Sequence, residues 1–61
     1  MDELAYRRYI ERANEAEAIY RTIREMYGKE IPWKQAYLLA VKDRLLSFKE
    51  RNLVKEFHPM R

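Results

Sequence analysis

Very few side chains in this 61-residue chain could act as a nucleophile or as a general base. Ser47 and Thr22 are the only aliphatic hydroxyls, there is no cysteine, and the single imidazole is that of His58. Nucleophilic catalysis needs a hydroxyl or thiol held beside a base. His58 precedes a proline near the end of the sequence and is expected to be solvated. These residue types predict a protein that is not an enzyme.

The sequence offers equally little for metal or cofactor chemistry. Zinc sites need three or four cysteine, histidine or carboxylate ligands, and the ten carboxylates here are interspersed with basic residues. Paired acid and base chemistry would need two carboxylates in one pocket, which a chain of this size hardly provides. Gly28 is the only glycine, so no glycine-rich phosphate loop exists. We therefore expect no catalytic residue, no metal, no cofactor and no small-molecule substrate.

A heptad repeat of apolar residues dominates the first half of the chain. Asp2 is a suitable N-cap, and Glu3 places a negative charge in the first turn of the predicted helix. Gly28 suits the left-handed conformation that commonly ends a helix. The pattern predicts a helix over residues 3–27. Its apolar residues, spaced alternately by 3 and 4, form a seam that consists of Tyr6, Tyr9, Ala13, Ala16, Tyr20, Ile23 and Tyr27.

A second helix is predicted to begin at Pro32, because proline is tolerated in the first helical position. The turn over residues 28–31 is short and forces the two helices to be antiparallel neighbours. The second helix is expected over residues 32–52, or to residue 57, since Pro59 disfavours helical geometry at His58. If Asn52 ends it, a short third C-terminal helix follows. The predicted fold is a single all-α domain over residues 1–61, an antiparallel helical hairpin or a small helical bundle.

The second helix carries two apolar stripes, and one partner helix cannot cover both. In a hairpin that turns near residue 30, Ala13 and Ala16 are expected to face Leu45 and Phe48, so that small residues meet large ones. The other stripe would then face outward. We predict that it is the partner-binding site, which consists of Trp33, Leu39, Leu46, Leu53 and Phe57.

The basic residues suggest a second class of partner, since the net charge is +3 and the isoelectric point is about 9.4. Residues 1–27 carry five basic and six acidic groups, and residues 28–61 carry eight and four. The basic residues of the second helix, however, are scattered around its axis, with Asp43 and Glu50 among them, so they form no continuous stripe. A solvated face is the favoured interpretation, and nucleic-acid binding is kept as the third choice.

A membrane location is not expected, because no apolar run approaches the roughly 20 residues needed to cross a bilayer. The sequence starts with the acidic Met1-Asp2-Glu3 where a signal peptide would be basic. We expect a soluble chain. Cytoplasmic expression is compatible with the lack of cysteine, and the localisation is otherwise left open.

In composition and style the chain resembles de novo designed helical miniproteins made as binders: short, free of cysteine and dense in Glu, Lys, Arg and Ala. That resemblance implies a non-catalytic interaction module that presents an apolar and aromatic helical face to a partner protein. The large share of Tyr, Trp and Met supports the same interpretation, because these residues are enriched in protein interfaces. The alternative is a self-associating hairpin that forms a homodimeric four-helix bundle.

Overall fold

The computed structural model describes residues 2–59, and over this range it contains three helices and no strand. They are α1 (Glu3–Tyr27), α2 (Trp33–Lys42) and α3 (Phe48–Phe57). The predicted all-α class is confirmed, and so is the presence of a short third helix at the C-terminal end. The molecule is 39 Å long, which is close to the roughly 37 Å expected of a 25-residue helix. Helix α1 therefore spans the whole molecule.

The predicted bounds of the first helix are confirmed, and Asp2 is the expected N-cap, whereas Gly28 ends the helix with a ψ of 155°, outside the left-handed helical conformation that was predicted. The Asp2 carboxylate accepts a hydrogen bond from the Leu4 N–H at 3.0 Å, which satisfies one of the free amides of the first turn. At the other end Gly28 has a φ of 92° and donates its N–H to the Arg24 carbonyl oxygen at 2.9 Å. Only glycine adopts such a φ without steric cost.

The predicted long second helix is wrong, because the chain leaves the helical path ten residues before Asn52. Arg44 adopts a left-handed φ of 58°. Its N–H donates to the Val41 carbonyl oxygen, and the Leu45 N–H donates to the Ala40 carbonyl oxygen, both at 3.0 Å. This pair of hydrogen bonds is the Schellman motif that ends α2. Asn52 lies in the middle of α3 instead of at a break.

Helix α3 begins where its sequence can cap it. The Ser47 hydroxyl accepts a hydrogen bond from the Glu50 N–H at 3.2 Å, and the Glu50 carboxylate accepts one from the Ser47 N–H at 2.9 Å. This reciprocal capping box satisfies two amides that would otherwise lack partners. The start of α2 also differs slightly from the prediction, since Pro32 is the N-cap and Trp33 the first helical residue.

Both short helices pack on α1, and together they use most of its apolar seam. Ile23 forms the core cluster with Ala36 and Ala40 of α2. The small alanines let the two backbones approach closely. Five partly buried residues surround this cluster, namely Ile19, Tyr27, Ile31, Trp33 and Leu46. Helix α3 adds Leu53 and Val54 as buried residues, and Ala16 is fully buried on α1.

The prediction that this stripe faces outward is wrong, because the break between α2 and α3 lets its residues pack inside the molecule. Leu53 is only 7% exposed, while Trp33 and Leu46 pack against the core cluster. The Phe57 ring packs against Tyr9 in a tilted arrangement, with centroids 5.5 Å apart, and Leu39 is half-buried. Four of the five residues predicted to bind a partner thus contribute to packing within the chain.

The predicted packing of Ala13 and Ala16 against Leu45 and Phe48 is also wrong, because the second helix is broken. Phe48 is 72% exposed and Leu45 is 44% exposed, so neither fills the space beside Ala13 and Ala16. The chain leaves the helical path at Arg44, and α3 packs on α1 as a separate helix.

Candidate functional site

The three residues that could have suggested catalysis are engaged in structural contacts. The Thr22 hydroxyl donates to the Ala18 carbonyl oxygen at 3.0 Å, and the Ser47 hydroxyl caps α3. His58 follows the last residue of α3, so the length of that helix, about 15 Å, separates it from Ser47. Within residues 2–59 no three His, Cys, Asp or Glu side chains come close enough to hold a metal ion.

His58 is not the solvated chain-end residue that we expected. Its ring stacks on Tyr20 with centroids 4.3 Å apart and planes 14° apart, and its Nε2 lies 3.3 Å from a Glu17 carboxylate oxygen. The indole N–H of Trp33 donates to the His58 carbonyl oxygen at 3.0 Å. These contacts fasten the end of α3 to both other helices, which is a packing role.

Arg24 completes this aromatic cluster. Its guanidinium lies 5.6 Å from the centroid of Tyr20 and 5.7 Å from that of Trp33, and it donates to the Ile31 carbonyl oxygen at 2.6 Å. A guanidinium on aromatic faces is attracted by their quadrupoles. Since Arg24 already occupies the space between the rings and the loop, the cluster is filled from within the chain.

The candidate binding surface lies instead on the N-terminal turns of α1. Tyr6 is 55% exposed, Tyr9 53% and Ile10 38%. Spacings of 3 and 4 residues place these side chains on one face of the helix. Tyr6 and Tyr9 continue the same seam that buries Ala16 and Ile23 further along. We call Tyr6, Tyr9 and Ile10 the uncovered seam.

The seam is uncovered because the helices that pack on α1 end too early. Phe57 is the last residue of α3, and its ring reaches only the near edge of Tyr9. Pro59 then prevents continuation of the helix. About two turns of apolar seam therefore extend beyond the packed part of the molecule.

The charges around the uncovered seam are neutralised within the chain. Arg7 pairs with Glu3 at 3.2 Å, and Arg12 pairs with Glu56 of α3. The Arg12 guanidinium also lies 5.8 Å from the centroid of Phe57. The ion pairs at the rim of the uncovered seam thus carry little net charge, and the seam itself consists of apolar and aromatic side chains.

A second apolar surface lies at the α2–α3 turn. An open groove there is bordered by Ile19 and Met26 of α1 and by Leu45 and Leu46. Met26 is 57% exposed. Glu50 also lines this groove, so it is more polar than the uncovered seam.

Sequence reasoning missed the uncovered seam, although a signal for it was available. A 25-residue seam needs a cover of equal length, and a break anywhere in the second helix shortens that cover.

Comparisons of the chain with protein-family models, with curated proteins and with solved structures find no match. None of the helices over residues 2–59 is both long and apolar enough to span a bilayer.

Proposed function

We propose that this protein is a non-catalytic interaction module that binds a helix of another protein through the uncovered seam. The observation that carries the proposal is the mismatch in length between the seam of α1 and the helices that cover it. Heptad seams bind helices, because each apolar side chain fits between those of the facing helix. The first part of this seam has no such helix within residues 2–59.

The exposure of Tyr6, Tyr9 and Ile10 favours a role in binding a partner over a role only in packing within the chain. Two tyrosines and an isoleucine on one face bring large contact area, and the tyrosine hydroxyls can stay in water at the rim. Burying the exposed part of each would remove about 100 Å² from water. At about 25 cal/mol per Å², the three side chains supply roughly 7 kcal/mol before the costs of association are subtracted.

The surface area that these three side chains can bury also favours a different protein, and not a second copy of this chain, as the partner. Two copies that met only at this seam would bury about 600 Å² in total, while stable interfaces bury at least about 1,200 Å². A longer partner helix can run along α1 and also contact Phe57 and the Arg12–Glu56 pair. The resemblance to designed binders supports the same choice.

The test compares two leucine-sized residues of α1, one inside the uncovered seam and one outside it. Ile10→Glu places a charge in the uncovered seam, whereas Leu4→Glu places the same charge on a more exposed site, 54% against 38%, about a third of a turn around the helix. Immobilised wild-type and variant proteins are exposed to cell extract, and the retained proteins are quantified by mass spectrometry. We expect a protein that wild type and Leu4→Glu retain and that Ile10→Glu loses, with a Kd at least about tenfold weaker for the purified pair.

Two outcomes contradict the proposal. Equal retention by both variants would show that the seam is not the binding surface, and retention of nothing specific by wild type would remove the hetero-partner. Light scattering on the isolated chain completes the test. A dimer that Ile10→Glu dissociates would identify a second copy as the partner.

A further inference from the structure

The fold separates the charges of residues 33–59 into two sides. All three acidic residues are engaged toward α1 or within a cap. Asp43 accepts a hydrogen bond from the Tyr27 hydroxyl, Glu56 pairs with Arg12, and Glu50 accepts from the Ser47 N–H. The acidic groups are therefore turned toward α1 or used in capping.

Most of the basic residues of the same segment lie on the other side. Lys34 and Lys42 are exposed on α2, and their spacing of eight residues places them on one face with Leu38. The residues that pack on α1 are Ala36 and Ala40, which occupy the opposite face of α2. The two lysines therefore point away from α1.

Helix α3 presents basic residues in the same direction. Arg51 and Lys55 are one turn apart, on the side opposite to the buried Leu53. The Lys55 ammonium lies 6.0 Å from the centroid of Tyr37, so this side of α3 adjoins α2. We call the surface of α2 and α3 that faces away from α1 the basic face. Its cations are Lys34, Lys42, Arg51 and Lys55, and Arg44 lies in the connection between the two helices. Within residues 2–59 none of these five residues forms an ion pair.

An exposed aromatic ring lies on the basic face. Phe48 is 72% exposed, the largest fraction among the exposed large apolar residues at positions 2–59, and the Arg51 guanidinium lies 5.7 Å from its centroid. Arg51 is half-buried, and its buried Nε has no hydrogen-bond acceptor within the described part of the chain. An aromatic platform among unpaired cations is the combination that binds single-stranded nucleic acids, in which bases stack on rings and phosphates meet lysine and arginine.

We infer that the basic face binds single-stranded nucleic acid. Phe48 stacks with a base, and Lys34, Lys42, Arg44 and Lys55 contact the phosphates. The break at Arg44 creates this surface, because on one continuous helix the same basic residues would be scattered around the axis. Lys49 is the exception, since it lies in the groove between α1 and α3 with Glu11 and Glu15.

The geometry favours a nucleic acid over an acidic polypeptide. An acidic amphipathic helix would need an apolar groove beside the cations. The nearest such groove lies between α1 and the α2–α3 turn and is lined by Glu50. The basic face itself offers an exposed ring, that of Phe48.

The first experiment measures the affinity for a labelled single strand of mixed sequence, about 12 nucleotides long, by fluorescence anisotropy over a salt titration. Lys34→Gln/Lys55→Gln removes two cations from the basic face. The matched control, Lys29→Gln/Lys49→Gln, removes the same charge elsewhere. We expect the first variant to bind at least about tenfold more weakly near 50 mM salt, and its salt slope to fall by about 0.7 for each lysine. The control should stay within about threefold of wild type.

The second experiment tests the ring. Phe48→Ala changes an exposed residue, and circular dichroism verifies that the helices persist. The affinity for the single strand should fall at least about fivefold, while binding of polyglutamate should not change. The inference would be overturned if the two lysine double variants lost affinity for the strand equally. It would also be overturned if wild type did not bind the strand at low salt. Tighter binding of polyglutamate than of the strand would overturn it as well, and would identify an acidic polypeptide as the partner. Because Ile10 is on a different face, these results are independent of the uncovered seam.

Discussion

The Tyr27 hydroxyl donates a hydrogen bond to the Asp43 carboxylate, and it lies 3.5 Å from the Leu39 carbonyl oxygen. This contact joins the last residue of α1 to the residue that caps α2. The hydrogen bond to Asp43 raises the pKa of Tyr27 above 10.0, and desolvation and the negative charge of Asp43 raise it further. Each of the three effects favours the neutral phenol in the folded state.

A loss of stability at alkaline pH follows. In the folded chain Tyr27 holds its proton to a higher pH than in the unfolded chain. The stabilisation is therefore fully present below about pH 10 and is lost as the pH rises through the folded-state pKa. Urea unfolding of wild type and Tyr27→Phe at several alkaline pH values checks this. The difference in stability between the two proteins should shrink above pH 10, and a constant difference would contradict the assignment.

Arg44→Gly should stabilise the fold. Arg44 has a φ of 58° at the C′ position of α2, where a left-handed conformation costs an L-residue about 1–2 kcal/mol. Glycine removes this cost but gains freedom in the unfolded chain, so we expect a net gain of about 1 kcal/mol in the free energy of unfolding. Lys42→Gly, two residues earlier at the last residue of α2, should instead lose stability, by up to about 1 kcal/mol. If both variants lose stability, the left-handed turn is not the conformation in solution.

Ser47→Ala should destabilise the start of α3. The substitution removes the acceptor for the Glu50 N–H, and loss of such a cap costs about 1 kcal/mol. Hydrogen exchange should show faster exchange over residues 48–51 than in wild type. Ser47→Asp keeps an acceptor in the same place and should retain protection, and equal protection in the alanine variant would argue against the capping box.

Leu46 and Leu45 are neighbours with opposite expected responses to a charge. Leu46 packs against the core cluster, so Leu46→Asp should cost on the order of 2–4 kcal/mol. Leu45 is 44% exposed, and Leu45→Asp should cost about 1 kcal/mol or less. Chemical denaturation of the two variants measures the difference. Similar costs would mean that the α2–α3 turn does not place Leu46 inside.

Local features of the sequence were sufficient to predict α1 and the helical class. The signals for α1 are local. Asp2 and Gly28 form hydrogen bonds with residues within about one turn, and the alternating apolar residues follow the period of a single helix. Ser47 and Glu50 have the spacing of a capping box, so the start of α3 was also readable from local sequence.

The break between α2 and α3 and both candidate surfaces depended on tertiary structure. Arg44 is a poor residue for a left-handed conformation, and nothing local in Lys42-Asp43-Arg44 requires the chain to leave the helix there. The break is stable because it lets Leu46, Leu53 and Phe57 be buried, and that gain is distributed over contacts with distant parts of α1. The same break leaves Tyr6 uncovered and brings Lys34 and Lys55 to one face. Periodicity describes which side of a helix is apolar, but which part of that side is covered depends on where the other helices end.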